Sequence, residues 1–290
     1  MGRVTEQARV RTVRVREGRL YAGRKGDHVA VEEPLDIRLD GQRLSLTMRT
    51  PGHDLELIHG FLHAEGLIER REDVAEARYC DGAVVEDDTG LPRNTYNVME
   101  FTSARPRLNP LVTRAFTTSS ACGVCGAESI DDVRHRSRHR LERTWSLDPR
   151  VILQASRDLA ARQPVFARTG GVHAAALVGL DGEILASRED VGRHNAVDKV
   201  IGWALMEDRL PLSDCFLLVS SRASFEIAQK AAMAGIPLLA CVSAASSLAV
   251  DTARELGMTL VGFTRAAEDG NGRMNLYTHP ERLDLSAAEG

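Results

Sequence analysis

Between residues 216 and 263 the chain alternates short apolar runs with stretches of helical periodicity, and few architectures accept that order. The runs 216–219, 237–242 and 259–263 are continuously apolar, the pattern of strands covered on both faces. Helices are expected between them, around 223–234 and 248–256. Strands joined through helices run parallel with right-handed crossovers, so a βαβαβ unit is expected here. The same style begins near Asp148. There the pattern gives a helix over 151–161, a strand over 172–178, a turn at Asp181-Gly182 and a strand over 184–187. Val197, Val200, Ile201, Ala204 and Leu205 form the stripe of a further helix.

The N-terminal third reads as mostly β. Residues 10–15 alternate Val or Thr with Arg, the period of a half-exposed strand. Strand-like runs follow at 29–31, 35–39 and 44–48, with Asp40-Gly41 as a hairpin signal. Leu55, Ile58, Phe61 and Leu62 share a helix face, and Gly66 is placed to end that helix. Residues 81–93, rich in Gly, Asp and Pro, read as a loop, and 97–101 as another strand. The expected organisation is a mostly β subdomain over 1–115, a Cys loop and basic connection over 116–147, and an α/β domain over 148–290. The basic run 134–140 reads either as a solvated helix face or as a docking patch for an acidic partner or a phosphate.

Composition narrows the class. A net charge of −4 gives no support to general nucleic-acid binding. No apolar stretch is long enough to span a membrane, and the Arg-rich start lacks the apolar core of a secretory signal. Five cysteines, an odd number, argue against a disulfide framework and for a reducing cytoplasm.

In open α/β sheets ligands bind beyond the carboxyl ends of the strands. Here those ends are Ser220-Ser221-Arg222-Ala223-Ser224, Ser243-Ala244-Ala245-Ser246-Ser247 and Thr264-Arg265. The first two lead into helices whose N-termini suit an anion, and the arginines add charge-assisted contacts. A plainer reading makes these serines N-caps only. No glycine-rich nucleotide fingerprint is present. A second constellation runs from Thr169-Gly170-Gly171-Val172-His173 to Glu189-Asp190-Val191-Gly192-Arg193-His194-Asn195. A His opening an apolar strand, as His173 does, is ordinarily a hydrogen-bonded core residue, whereas the second segment is dense enough in polar groups to line a site.

Chemistry centres on Cys122-Gly123-Val124-Cys125, set among small and hydroxyl residues. Structural zinc needs four ligands, and only one Cys pair exists. A zinc deaminase would place His-x-Glu before its Cys-x-x-Cys, and His173-Ala174-Ala175 lacks the Glu. A thioredoxin-type dithiol would lie near the N-terminus. Sulfur relay through a low-pKa, accessible thiolate is a fourth reading. Cys215 and Cys241 fall at or in expected strands and read as small core residues.

The Cys loop and the segments 169–173 and 189–199, followed by Ser220-Ser221-Arg222 and Arg273-Met274-Asn275-Leu276-Tyr277, occur in an order that resembles the FdhD family. That resemblance spans about 33–277. It implies a cytidine-deaminase-like α/β/α C-terminal domain beside a smaller, mostly β N-terminal domain, and a homodimer. It also implies sulfur transfer from a cysteine desulfurase to the molybdenum (or tungsten) bis-guanine-dinucleotide cofactor, in the service of formate dehydrogenase. By position, Cys122 is the expected persulfide carrier and Cys125 its helper. The family's cofactor-binding stretch falls on Phe263-Thr264-Arg265-Ala266-Ala267-Glu268, with Ser221, Arg222, Ser243 and His194 as further expected contacts. One departure is the connection 266–272, longer and more acidic than the compact turn associated with the family.

Overall fold

The computed structural model describes residues 3–80, 97–104, 133, 137, 139–141, 145–267 and 271–287, with 84–86 and 92–94 as backbone alone. The chain opens on a two-stranded ribbon, β1 (Thr5–Arg16) and β2 (Arg19–Ala30), paired along its whole length. β3 (Glu33–Leu39) and β4 (Gln42–Arg49) form the expected hairpin, turning at Asp40 and Gly41, both with positive φ. Helix α1 (Asp54–Ala64) follows, and Gly66, at φ 71, ends it by donating to His63 O while Leu67 N donates to Leu62 O. β5 (Val74–Tyr79) and β8 (Val98–Ser103) complete a four-stranded sheet of order β4-β3-β8-β5. Between them the expected loop contains a short ladder, β6 (Val84–Glu86) with β7 (Pro92–Asn94).

The second half is a six-stranded sheet. Helices α2 (Pro149–Ala161) and α3 (Pro164–Thr169) precede strands β9 (His173–Gly179) and β10 (Ile184–Asp190). Then come α4 (Arg193–Met206), β11 (Cys215–Val219), α5 (Phe225–Met233), β12 (Leu238–Cys241) and α6 (Ser247–Glu255). The chain closes with β13 (Thr259–Ala266) and β14 (Gly272–Thr278). The order is β10-β9-β11-β12-β13-β14, with β11, β12 and β13 parallel as expected and the outer strands antiparallel. Ile152, Ala155 and Leu159 of α2 pack on one face, while α4, α5 and α6 bury Val197, Val200, Ile227 and Ala249 on the other. This is a three-layer α/β/α arrangement, so the central strands are apolar on both sides for a physical reason.

Capping fixes where the helices begin. Asp148 accepts from Arg150 N at 2.9 Å, with Pro149 as the first helical residue of α2. α3 has no cap from its own neighbourhood. Glu189, at the end of β10, accepts from Val165 N at 3.0 Å and Phe166 N at 2.8 Å and supplies one.

The N-terminal sheet buries Leu35, Ile37, Met99 and Phe101 against Leu57, Ile58 and Leu62 of α1. α1 in turn crosses α4 at a contact of bare backbone. A Cβ on Gly60 would lie 2.0 Å from Asp198 O, and one on Gly202 would lie 1.7 Å from Glu56 O. Around this crossing the two halves share buried polar groups. Lys199 pairs with Asp190 at 2.7 Å, both fully buried, and donates to Thr50 O at 3.0 Å. Asn195 Nδ2 donates to Met48 O at 2.7 Å and to Asp190 at 3.0 Å. Arg188 grips Glu56 with two bonds of 2.6 and 2.7 Å.

Candidate functional site

An open cleft of about 770 Å³ lies at the carboxyl ends of the parallel strands, on the α2 face. Ser220, Val242 and Thr264, at the ends of β11, β12 and β13, form its floor. Ser156, Arg157 and Gln163 wall one side, and Phe166, Gly170 and Gly171 wall the other. Gly170 sits at φ 64, where the left-handed turn frees the backbone to leave α3 and return toward β9. His173, the first residue of β9, lies in the lining because β9 runs opposite to β11.

The expected stretch 263–268 divides here. Thr264, Arg265 and Ala266 line the cleft. Thr264 is fully buried and its hydroxyl donates to Cys241 O at 3.1 Å. Ser156 Oγ donates to the Thr264 carbonyl at 3.2 Å. Thr264 therefore ties the floor together, and the group free to meet a ligand is the exposed Arg265. Phe263 takes φ 53, a left-handed residue at an irregularity in the β13–β14 pairing, and its N–H donates to Ser243 O at 2.9 Å. Ala267 N donates to Asn271 O at 2.7 Å, and its carbonyl accepts from Arg157 at 3.4 Å. Glu268 lies outside the described residues, as do Cys122 and Cys125.

Arg265 and Arg273 are direct cross-strand partners, so their side chains share a face of the ribbon β13–β14. Like charges placed opposite each other repel. With Arg157 nearby, the cleft has a cationic rim. The His173 imidazole is held below its ordinary pKa, first by burial and then by the Arg193 guanidinium. It is neutral at pH 7, and among the described residues no hydrogen bond reaches its ring.

Ser221, Arg222, Ser243 and His194 do not line this cleft. Ser221 is buried, and its hydroxyl donates to the Arg222 carbonyl at 3.0 Å. Arg222 and Ser243 are exposed beyond the strand ends. His194, in the first turn of α4, sits 3.2 Å from Ser224 Oγ at the start of α5, with Glu226 at 3.7 Å. Burial, then Lys230 and Arg193, hold the His194 imidazole down at about 4. Arg222 also depresses the neighbouring Arg193 guanidinium, after burial. The two hydroxyl-rich loops are stitched to each other by Ala223 N to Ala244 O and Ser246 N to Ala223 O, both 3.0 Å. Ser246 caps α6 by accepting from Ala249 N at 3.3 Å, the plainer of its two readings.

Glu189 caps α3, and Asp190 and Asn195 join the two halves. Sequence reasoning missed Ser156 and Arg157, which reach the cleft from α2, and Gln163, which reaches it from the connection between α2 and α3. The buried thiols behave as core groups. Burial pushes Cys215 up to about 12 and Cys241 up to about 11, so both stay protonated. Among the described residues no cluster of three or more His, Cys, Asp or Glu is set to hold a metal ion. No helix among them is long and apolar enough to cross a membrane.

Fold and cleft define a class: a three-layer α/β protein with an open, cation-rimmed cleft at the carboxyl ends of its parallel strands. A solved structure from Desulfotalea psychrophila, described as a formate dehydrogenase accessory protein, shares the fold with TM-score 0.70, covering 96% of this chain and 99% of that one at 23% identity. The family model for FdhD/NarQ matches residues 30–284. A "Sulfur carrier protein FdhD" from Corynebacterium efficiens is 54% identical over 91% of this chain and 96% of its own length. Another of that name, from Nocardia farcinica, is 52% identical over 97% and 96%. The chain belongs to the FdhD/NarQ family.

Proposed function

We propose that the chain is a sulfur carrier that takes a sulfane sulfur from a cysteine desulfurase and delivers it to the molybdenum (or tungsten) bis-guanine-dinucleotide cofactor. The cofactor is cargo here, destined for a formate dehydrogenase, and the setting is the cytoplasm, with two copies of the chain acting together. The observation that carries the reading is kinship at about half identity, along nearly the whole chain, with proteins named as sulfur carriers. A Cys-x-x-Cys loop in the sequence supplies the thiols the chemistry requires. The cleft supports the cargo: a dinucleotide brings phosphates, and Arg157, Arg265 and Arg273 are suited to hold them.

In the first step the Cys122 thiolate attacks the terminal sulfur of the donor's persulfide. The donor's S–S bond breaks, its cysteine leaves as a thiolate, and Cys122 becomes a persulfide. In the second, the Cys125 thiolate attacks the inner sulfur of that persulfide. A Cys122–Cys125 disulfide forms, the outer sulfur leaves as hydrosulfide for the metal, and the two electrons it gains come from the oxidised thiol pair. Two equivalents of an external thiol, leaving as their own disulfide by way of a mixed disulfide, then return the pair to its dithiol form.

The test is an intact mass measured under native conditions after incubation with cysteine and a desulfurase. A gain of one sulfur, removed by reductant and absent from Cys122→Ala, is the expected result. A chain that stays unmodified, or gains only a zinc ion, sinks the sulfur-transfer reading and leaves a cofactor- or zinc-binding chaperone.

A further inference from the structure

The ribbon β1–β2 stands apart from both cores. Its strands have no other strand beside them among the described residues. Among the described residues it is held at its base: Val31 N donates to Val4 O at 3.0 Å, β2 touches α3, and Ala30 lies against Gly171 at the cleft wall. Yet Val13, Val15 and Leu20 are 66%, 67% and 75% exposed. The register pairs Val13 with Ala22 and Val15 with Leu20, so these four share one face near the tip. Arg9, Arg11 and Arg24 continue the same face toward the base. A two-stranded hairpin is marginally stable alone in water, and one with an apolar patch at its tip needs a surface to lie on.

We propose that this ribbon is an exchanged arm, docking by its Val13–Val15–Leu20 face onto the body of a second copy of the chain. The inference rests on the two-copy part of the reading above and specifies how the copies meet. Charge favours that occupant. The first thirty residues hold eight basic and three acidic side chains, a net +5; since the whole chain is −4, the remainder is −9. A ribbon laid on its twin ribbon would set rows of arginine against each other, whereas a ribbon laid on the acidic remainder of its partner is attracted to it. Area agrees. Strands of this length span about 40 Å and present a face of roughly 400 Å². Two exchanged arms, each covered on one face, bury about 1,600 Å² counting both partners, the size of a standard stable interface.

The experiment uses the full chain. Sedimentation over a range of concentrations gives its mass, and hydrogen exchange reads the amides of 5–30 in the same samples. The expected result is a two-chain particle whose ribbon amides lose protection on dilution. In Val15→Asp/Leu20→Asp the dissociation constant rises by at least about tenfold, while thermal unfolding compared at a dilution where both proteins are single chains is unchanged. A wild-type chain that is monomeric at every concentration overturns both the arm and the two-copy reading, leaving sulfur transfer to its own mass test. A wild-type dimer that survives the double substitution, with ribbon exchange independent of concentration, overturns the arm alone. Ribbon protection that appears only when a different protein is added to a monomeric chain also overturns it.

Discussion

His194 shows how a buried imidazole shapes pH dependence. Its folded pKa, about 4, lies below the ordinary value of 6.5. The unfolded chain therefore takes up a proton as pH falls from 6.5 toward 4 while the folded chain does not, and stability is lost across that window. Its full size is on the order of 3 kcal/mol. Asp198 works in the opposite sense: burial raises it to about 6, so the folded chain binds its proton first and gains stability as pH falls from 6 toward 3.8. His194→Gln removes only the first effect. In urea titrations at pH 7 and pH 4.5 the variant should lose less stability on acidification than the wild type; equal losses would contradict the assignment. Arg265 permits a sharper test of the cleft. Arg265→Ala should weaken guanosine diphosphate binding by about 10- to 100-fold, the worth of a charge-assisted contact, and Arg222→Ala should leave it unchanged. Calorimetry distinguishes the two, and an Arg222 effect as large as that of Arg265 would move the ligand to the other side of the strand ends.

Among the elements, the crossing of α1 and α4 has the least freedom. A methyl at position 202 has nowhere to go except into the Glu56 carbonyl, 1.7 Å away. Gly202→Ala should destabilise the protein by at least about 3 kcal/mol, above the usual cost of overpacking because the obstacle is backbone. Denaturant titration checks this, and a loss under 1 kcal/mol would mean that the helices can separate cheaply. Elements also differ in how plainly the sequence announces them. β11 to β13 are readable because layers on both faces demand apolar residues at every position. β2 is not, since within one chain neither of its faces packs on a core, and Arg19-Leu20-Tyr21-Ala22-Gly23-Arg24 does not alternate. α3 is only six residues long and takes its N-terminal cap from Glu189 of another element, so Pro164 at its start and Gly170 just past its end are the local marks it carries, too few to announce a helix. β14 is an edge strand that keeps polar residues, and its pattern reads as a motif before it reads as a strand.

At the scale of the whole molecule, the two sheets are joined by buried charge. Lys199→Met would strand Asp190 without its cation and should cost about 3–5 kcal/mol. Because Lys199 also donates to Thr50 O, the wild type should unfold in one transition, whereas the variant should let the 35–103 sheet loosen first. Hydrogen exchange resolved by segment decides, and simultaneous opening of both sheets in the variant would refute it. This junction is also why the site was only partly legible. Polar density in 189–199 looks like chemistry in one dimension, and in three it is mostly the seam between halves. Thr264 and Arg265 could be found because strand ends are a general place to look. Ser156, Arg157 and Gln163 could not, since nothing local says that α2 leans over those ends.

Gly60 and Gly202 have a further consequence for anyone mapping this chain by exhaustive substitution. Two positions with no functional group at all would score as intolerant as a reactive thiol, because each is occupied by the other helix's backbone. A tolerance map taken at face value would mark the crossing as an active centre, when it is a weld.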